Sequence, residues 1–324
     1  MGRFLARALV FLLGAGMLYA MAVVFLSQVR VSGTPLIYRI GDYTKWPGDD
    51  TWYTYHEFDG DEHYDAIILG SSHASRGYDP EVFRERGYKV FVLGSKAQTP
   101  MNSYPVIKYM LDSTNCPLLI YDIFDKMLIN DGFESTVDLM TNQPDHRVAW
   151  SLACAQRDLR MLNLMALRLT LPLDSPYFDY GHYRSRGFSA WPDTLIDPGG
   201  LPDTTDVEIP ERQQRFLQGC IDLCRAKGIH LVFSSHYVRA NRKGGTYART
   251  VRFMDRLAKA DHVPYIDLSN RPYIEDDHWF HDYNHLNTAG ARIFTGELVD
   301  TLEALGYLGR KGTAPGPLRS GQRP

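Results

Sequence analysis

Beyond residue 63 the chain alternates between short apolar runs and longer stretches in which apolar residues recur every three or four positions. The runs are 64–70, 89–94, 117–122, 229–235 and 264–268. None shows the in–out polar alternation of a sheet with one wet face, so each predicts a strand covered on both sides, as in a parallel sheet. The stretches between them predict helices. One opens at Asp79-Pro80-Glu81, and others run over 99–112, over 210–227 with Gly228 as the cap, over 246–260 and over 287–305. This rhythm is that of a doubly wound α/β fold, a five-stranded parallel sheet between helices, whose sites form at the carboxyl ends of the strands.

Two regions break the rhythm. From 126 to 209 the alternation stops. A helical portion over about 145–169 is followed by aromatic, Pro- and Gly-rich segments such as Tyr177-Phe178-Asp179-Tyr180 and Ala190-Trp191-Pro192. So long an insertion predicts a lid or binding surface rather than core. At the other end, Ala8 to Val29 contains no charged residue, close to the roughly 20 apolar residues a helix needs to cross a bilayer. Arg3 and Arg7 precede it, which keeps the N-terminus cytoplasmic and sends the remainder across the membrane. A cleavable signal peptide is the alternative, with Ala20-Met21-Ala22 as a poor cleavage site. The apolar run continues through Val23-Val24-Phe25-Leu26 beyond it, which favours a retained anchor. The expected organisation is a transmembrane segment over 1–29, a stalk over 30–62, one domain over 63–308 and a disordered tail over 309–324, rich in Gly, Pro and Arg.

Composition adds limits. The 324 residues are 44% hydrophobic, enough for one sizeable core. A formal net charge of −3 gives no electrostatic case for a nucleic-acid partner. Cys116, Cys154, Cys220 and Cys224 form no recognisable framework, so buried free thiols and disulfides both stay open. No phosphate-cradling Gly-x-x-x-x-Gly-Lys or Gly-x-Gly-x-x-Gly is present, and no cofactor is expected.

Candidate chemistry lies at two places far apart in sequence. Gly70-Ser71-Ser72-His73 follows the first apolar run, and Asp282-Tyr283-Asn284-His285 precedes the last helix. An Asp three residues before a His can hold its imidazole in one tautomer, leaving the other ring nitrogen to take a serine proton. Ser72, Asp282 and His285 are thus candidates for nucleophile, orienting carboxylate and base of a serine hydrolase or acyltransferase. The bland readings are a helix cap for Ser72, a turn cap for Asp282 and a surface side chain for His285. His73 is assigned packing or capping only. His278, His281 and His285 with Asp276, Asp277 and Asp282 fit no standard zinc spacing; we expect no metal, and a pocket-shaping role for His281. After the fourth strand, His236, Tyr237, Arg239 and Arg242 form either the rim of the site or a solvated basic loop.

These two motifs resemble those of the SGNH (GDSL-like) hydrolase superfamily. Gly70-Ser71-Ser72 stands for its Gly-Asp-Ser block, and Asp282-Tyr283-Asn284-His285 with Leu286-Asn287-Thr288-Ala289-Gly290-Ala291 stands for its terminal block. The resemblance covers about 65–305, though only its two ends are motif-specific. It implies a flavodoxin-like sheet, Ser72 as the nucleophile rather than Ser71, and an oxyanion hole from the Ser72 N–H and Gly94. Where the family carries Gly-x-Asn-Asp, this chain has Tyr121-Asp122-Ile123-Phe124-Asp125. An ionised Asp125 donates nothing to an oxyanion, so Asn102 or Asn130 are the candidate replacements, and Asn102, Asp125, His236 and His281 are candidate substrate contacts. Within the superfamily the chain is most similar to bacterial membrane-anchored members acting on envelope polymers. That implies an extracytoplasmic domain, an acylated glycan or polysaccharide substrate and an envelope acyltransferase partner. The alternative is a non-catalytic module of the same fold that binds glycan or assists assembly.

Overall fold

The computed structural model describes residues 1–40, 47–171, 175–192, 203–270 and 276–309. The expected tail, apart from Gly309, lies outside them. All five predicted strands form: β1 (Ala66–Gly70), β2 (Val90–Gly94), β3 (Leu118–Asp122), β4 (His230–Ser235) and β5 (Tyr265–Asp267). They make one parallel sheet in the order β2-β1-β3-β4-β5. The winding direction reverses between β1 and β3, and such a switch point opens a crevice at the carboxyl ends.

Why the strands are apolar throughout is visible in their two faces. Ile67, Leu69, Phe91, Leu93, Leu119 and Tyr121 enter one core. Its helices include α2 (Asp49–Glu57), α5 (Pro100–Met110), α9 (Glu211–Lys227) and α10 (Gly245–Asp261). Their alternates Ile68, Val90, Val92, Ile120 and Val232 enter the other core, with α3 (Ser72–Gly77), α4 (Pro80–Glu85) and α11 (Thr288–Ala304). Successive side chains point to opposite faces, and both faces are dry, so apolar residues fill both parities and the buried polar ones, Asp122, Ser234 and Ser235, stand at the carboxyl ends. Emptying one such Leu to Ala costs about 2–5 kcal/mol.

Helix boundaries follow local chemistry. Asp79 caps α4 by accepting from the Glu81 N–H at 2.9 Å, with Pro80 in the first turn. Gly228, at φ +68°, closes α9 in the left-handed conformation that an L side chain disfavours.

Two boundaries differ from the sequence expectation. The region over 30–62 is not all stalk: Tyr55 on α2 is fully buried in the first core, and Phe58 stacks edge-on against Phe91 at 5.2 Å. The insertion is not all surface either. Helices α6 (Phe133–Asn142), α7 (His146–Gln156) and α8 (Arg160–Thr170) bury Leu139, Met140, Val148, Leu152, Met161 and Met165 in that core. Their apolar faces extend the first layer beyond the sheet, and alternation of strands carries no signal for that. Only the later part stays peripheral. Residues 183–189 form a short antiparallel hairpin whose Arg186 carbonyl accepts from the Val92 N–H at 2.9 Å, covering the open edge of β2. Cys116, Cys220 and Cys224 are buried free thiols, and Cys154 is an exposed one.

At the N-terminus α1 (Gly2–Gln28) is a single apolar helix, long enough to cross a membrane or to serve as a signal sequence. It runs beside α8, where the Tyr19 hydroxyl donates to Asn163 Oδ1 at 2.6 Å.

Candidate active site

The site begins where β1 ends. Gly70 admits no side chain: a Cβ there would lie 2.9 Å from both the Ala74 and Asp122 Cβ atoms. That close approach lets the chain turn at once into α3. Ser71 caps the helix by accepting from the His73 N–H at 3.3 Å, and Ser72 takes its first position. The Ser72 N–H therefore has no intrahelical acceptor.

The opposite half is a loop pinned to the start of α11. Asn287 caps α11 through the Gly290 N–H at 2.8 Å, and its amide donates to the His278 carbonyl at 2.9 Å. Gly290 is obligatory here, because a Cβ would meet the Trp279 carbonyl oxygen at 2.2 Å. The His281 N–H donates to the His285 carbonyl at 2.9 Å and closes the loop. Within it Asp282 Oδ1 accepts from the N–H groups of Asn284 and His285, at 2.9 and 2.8 Å.

Folding brings the halves together. Ser72 Oγ lies 2.9 Å from His285 Nε2, and His285 Nδ1 lies 2.8 Å from Asp282 Oδ2. Burial and the charge of Arg76 push the His285 pKa down to about 4, against the raising effect of Asp282. Burial works upward on Asp282, but the hydrogen bonds from the His285 ring and the two N–H groups outweigh it and hold its carboxyl well below the usual range. At neutral pH His285 is therefore neutral. With Nδ1–H directed to a carboxylate, its Nε2 lone pair faces the serine hydroxyl, the arrangement in which a serine hydroxyl becomes a nucleophile.

The remaining candidates separate. Asn102 is remote: its Oδ1 caps Thr99 at 2.6 and 3.1 Å, and its amide donates to Gly132 and Thr136. It supplies no oxyanion donor or substrate contact, because the starts of α5 and α6 use all of it. Asn130 lines the cavity beside Ser72. Asp125 is buried against its own helix start, accepting from the Lys126 N–H at 2.9 Å, and burial pushes it up to about 6. Phe124 lines the cavity at that point instead. Gly94 closes β2 opposite Gly70 and packs against the backbone of Ser71 and Ser75; beyond β2 the described wall of the cavity is Lys96 and Ala97. His281 is buried, with Nδ1 3.1 Å from the Pro192 carbonyl. The side chains of Asp276 and Asp277 lie outside the described residues.

His236 forms neither a rim nor a solvated loop. It is buried, with Nε2 2.5 Å from His73 Nδ1. His73 in turn stacks on His285 at 4.6 Å and on Phe124 at 3.7 Å, and its Nε2 lies 3.3 Å from the Asn284 amide nitrogen. An amide donating to Nε2 fixes the His73 proton on Nδ1, which then donates to His236. Burial lowers both, His236 to about 3 and His73 well below the usual value, so the pair stays neutral beside the base. Sequence reasoning gave His73 no task. The available signal was that His73 and His236 both lie just past the carboxyl ends of strands in one sheet.

Ser72 and His285 open into a cavity of about 440 Å³ whose wall also carries Arg76, Lys96, Lys126 and Arg242. Around a formally anionic chain this is a local excess of positive charge, four cations against the one carboxylate of Glu134 in the same wall.

No family model matches this chain, and no curated protein matches it. Solved structures do. A protein assigned to the G-D-S-L lipolytic family from Desulfitobacterium hafniense DCB-2 aligns at 11% identity and a TM-score of 0.41, over 73% of this chain and 98% of that one. A lipase/acylhydrolase from Enterococcus faecalis aligns at 11% identity and 0.39, over 74% and 96%. A family two carbohydrate esterase from Clostridium thermocellum aligns at 8% identity and 0.30, over 76% and 66%. At such distances the reading of the site rests on this chain's own geometry: a parallel α/β sheet carrying a Ser–His–Asp relay at its switch point.

Proposed function

We propose that this chain is a serine esterase or O-acyltransferase of the SGNH type. The observation that carries the reading is the continuous relay from Ser72 Oγ through His285 to Asp282, at 2.9 and 2.8 Å. Ser72 Oγ attacks the acyl carbonyl and passes its proton to His285 Nε2. The imidazolium is held by Asp282, and the Ser72 N–H faces the developing oxyanion. Collapse breaks the ester bond; His285 returns the proton to the departing alkoxide and an acyl-serine remains. Water or a sugar hydroxyl then enters by the same steps in reverse, so one site serves hydrolysis and transfer.

The substrate class we assign is an O-acyl group on a cell-envelope or surface polysaccharide, reached from outside a membrane that α1 anchors. The exposed Leu159, Leu162 and Leu169 around α8, which runs beside α1, support a membrane-proximal position. An envelope acyltransferase partner belongs to the same reading.

The test is turnover of p-nitrophenyl acetate by the full chain in detergent, beside Ser72→Ala and His285→Ala. Each substitution should lower kcat by up to about 10⁶-fold, the scale at which such triads act as a unit. A serine-directed fluorophosphonate supplies the independent check. Folded protein that forms no covalent adduct on Ser72 would sink the enzyme reading in favour of a glycan-binding module.

A further inference from the structure

Arg76 follows Ser72 by four residues on α3, so both side chains leave the same face of one helix turn. The carbon of its guanidinium lies over the Trp191 ring, 3.9 Å from the centroid, and the side chain forms part of the cavity wall. The Nε atom is sealed from solvent and has no acceptor. Among the described residues no carboxylate lies within ion-pair distance of Arg76.

The other cations of the wall each lie within ion-pair distance of a carboxylate, Lys126 and Arg242 sharing one. Lys96 Nζ is 3.5 Å from Asp49, Lys126 Nζ is 2.5 Å from Asp203, and Arg242 lies 3.6 Å from Asp203. Asp282, the acid of the relay, is engaged by His285. Arg76 is thus an always-protonated group with five donors in a fork, held by an aromatic face and directed at the space where the substrate must sit. A half-buried guanidinium whose nearby anions, Asp50, Asp282 and Asp49, act on it only from beyond ion-pair contact is costly unless something that binds supplies a closer one.

We propose that Arg76 is the anchor for an anionic group of the substrate. The ester attacked by Ser72 is then carried on an acidic glycan, with a uronate carboxylate or a phosphodiester close to the acylated position. This rests on the esterase or acyltransferase reading for its chemistry, but not for its binding. A planar carboxylate or a phosphate pairs with the guanidinium fork through two N–H groups, which fixes orientation as well as charge. Four residues along the helix, that pairing places the acyl carbonyl over Ser72 rather than elsewhere in the cavity. Trp191 supports the fork from the hairpin side. The aromatic segment that reads in sequence as a binding surface thereby contributes through the cation it holds.

The experiment is calorimetric titration of the full chain in detergent with oligogalacturonate, with inorganic phosphate and, as the neutral control, with maltotriose. Wild type, Arg76→Gln and Arg76→Lys are compared. Wild type should bind at least one anion and not maltotriose. Arg76→Gln should lose about tenfold or more in affinity, and Arg76→Lys, which keeps the charge without the fork, should fall between. Binding of the uronate alone assigns a carboxylate, and binding of phosphate alone assigns a phosphodiester. No anion binding by wild type, or equal affinity in Arg76→Gln, overturns the proposal; should the Gln variant fail to fold, equal affinity in Arg76→Lys does the same. Turnover of an acetylated oligogalacturonate and of p-nitrophenyl acetate adds the kinetic arm. Arg76→Gln should raise KM for the first about tenfold more than it raises KM for the second, which carries no anion beside its ester. Ester turnover without Arg76-dependent anion binding defeats this inference alone. Anion binding without ester turnover and without a fluorophosphonate adduct on Ser72 defeats the esterase or acyltransferase reading alone.

Discussion

Two imidazoles lie stacked 4.6 Å apart beside Ser72, and their surroundings give them opposite tasks. His285 reaches the serine with one nitrogen and a carboxylate with the other, so its proton has somewhere to go and a charge to balance it. His73 reaches only neutral partners, the Asn284 amide and His236, in a fully buried place. The first can cycle between neutral and charged forms; the second cannot gain a proton without placing an uncompensated charge in the interior. Residue type therefore decides little here. What separates base from support is whether an anion faces the ring, and His73 acts as a rigid neutral surface against which the base is positioned.

The comparison breaks most sharply if the anion facing His285 is removed. Asp282→Asn should lower kcat by about 10⁴-fold while KM changes little, because an amide in that place favours the wrong tautomer of His285. A loss below about tenfold would mean that Asp282 is only a turn cap. Next in size is His73→Ala, which removes the stacking surface and frees the ring of His285. We expect kcat to fall by about 10²-fold at most, the scale of a displacement near 1 Å, with KM retained. A loss equal to that of His285→Ala would place His73 in the chemistry itself and erase the distinction.

The pH profile sharpens it further. The base must be neutral to accept the Ser72 proton, so kcat/KM should rise with pH through an acid limb near pH 4 and stay flat through neutrality. Arg76 holds that limb down by its charge, so Arg76→Gln should move it to higher pH. A limb that stays in place would separate Arg76 electrically from the base.

How much of this the sequence contains depends on the distance over which each feature is written. The strands are local: each is a short, mostly apolar segment of three to six residues with no polar alternation, because both faces of the sheet are covered. The serine and the Asp-x-x-His are local as well, one at a strand end and one in a tight loop. Their meeting across the fold was legible only because each motif implies the other. The His73–His236 pair has no local signature, since neither residue's neighbours announce a partner 163 positions away. Arg76 reads as an ordinary helix cation until Trp191 is seen beneath it. Asn102 misled in the opposite sense, because sequence proximity to the site does not reveal that the starts of α5 and α6 engage every polar atom it has. The core helices α6 to α8 were hidden for a related reason: an apolar helix face does not say which layer it joins.

The smallest effect is on stability, and it isolates the silent imidazole pair from the active one. Both buried histidines have folded pKa values below that of an unfolded histidine, about 6.5. Between the two values the unfolded chain binds protons that the folded chain refuses. Stability from this source is fully present above about pH 6.5 and is lost as pH falls below it, at up to about 1.4 kcal/mol per pH unit for each such histidine. His236→Asn removes one titrating group, although it also disturbs packing and lowers stability at every pH. The informative quantity is therefore the slope of unfolding free energy between about pH 6.5 and pH 4.5, from denaturant titrations at each pH. The slope should be shallower in His236→Asn than in wild type by about 1 kcal/mol per pH unit. Equal slopes would mean that His236 takes up protons as readily in the folded chain as in the unfolded one, and that the His73–His236 pair is not the neutral support its contacts describe.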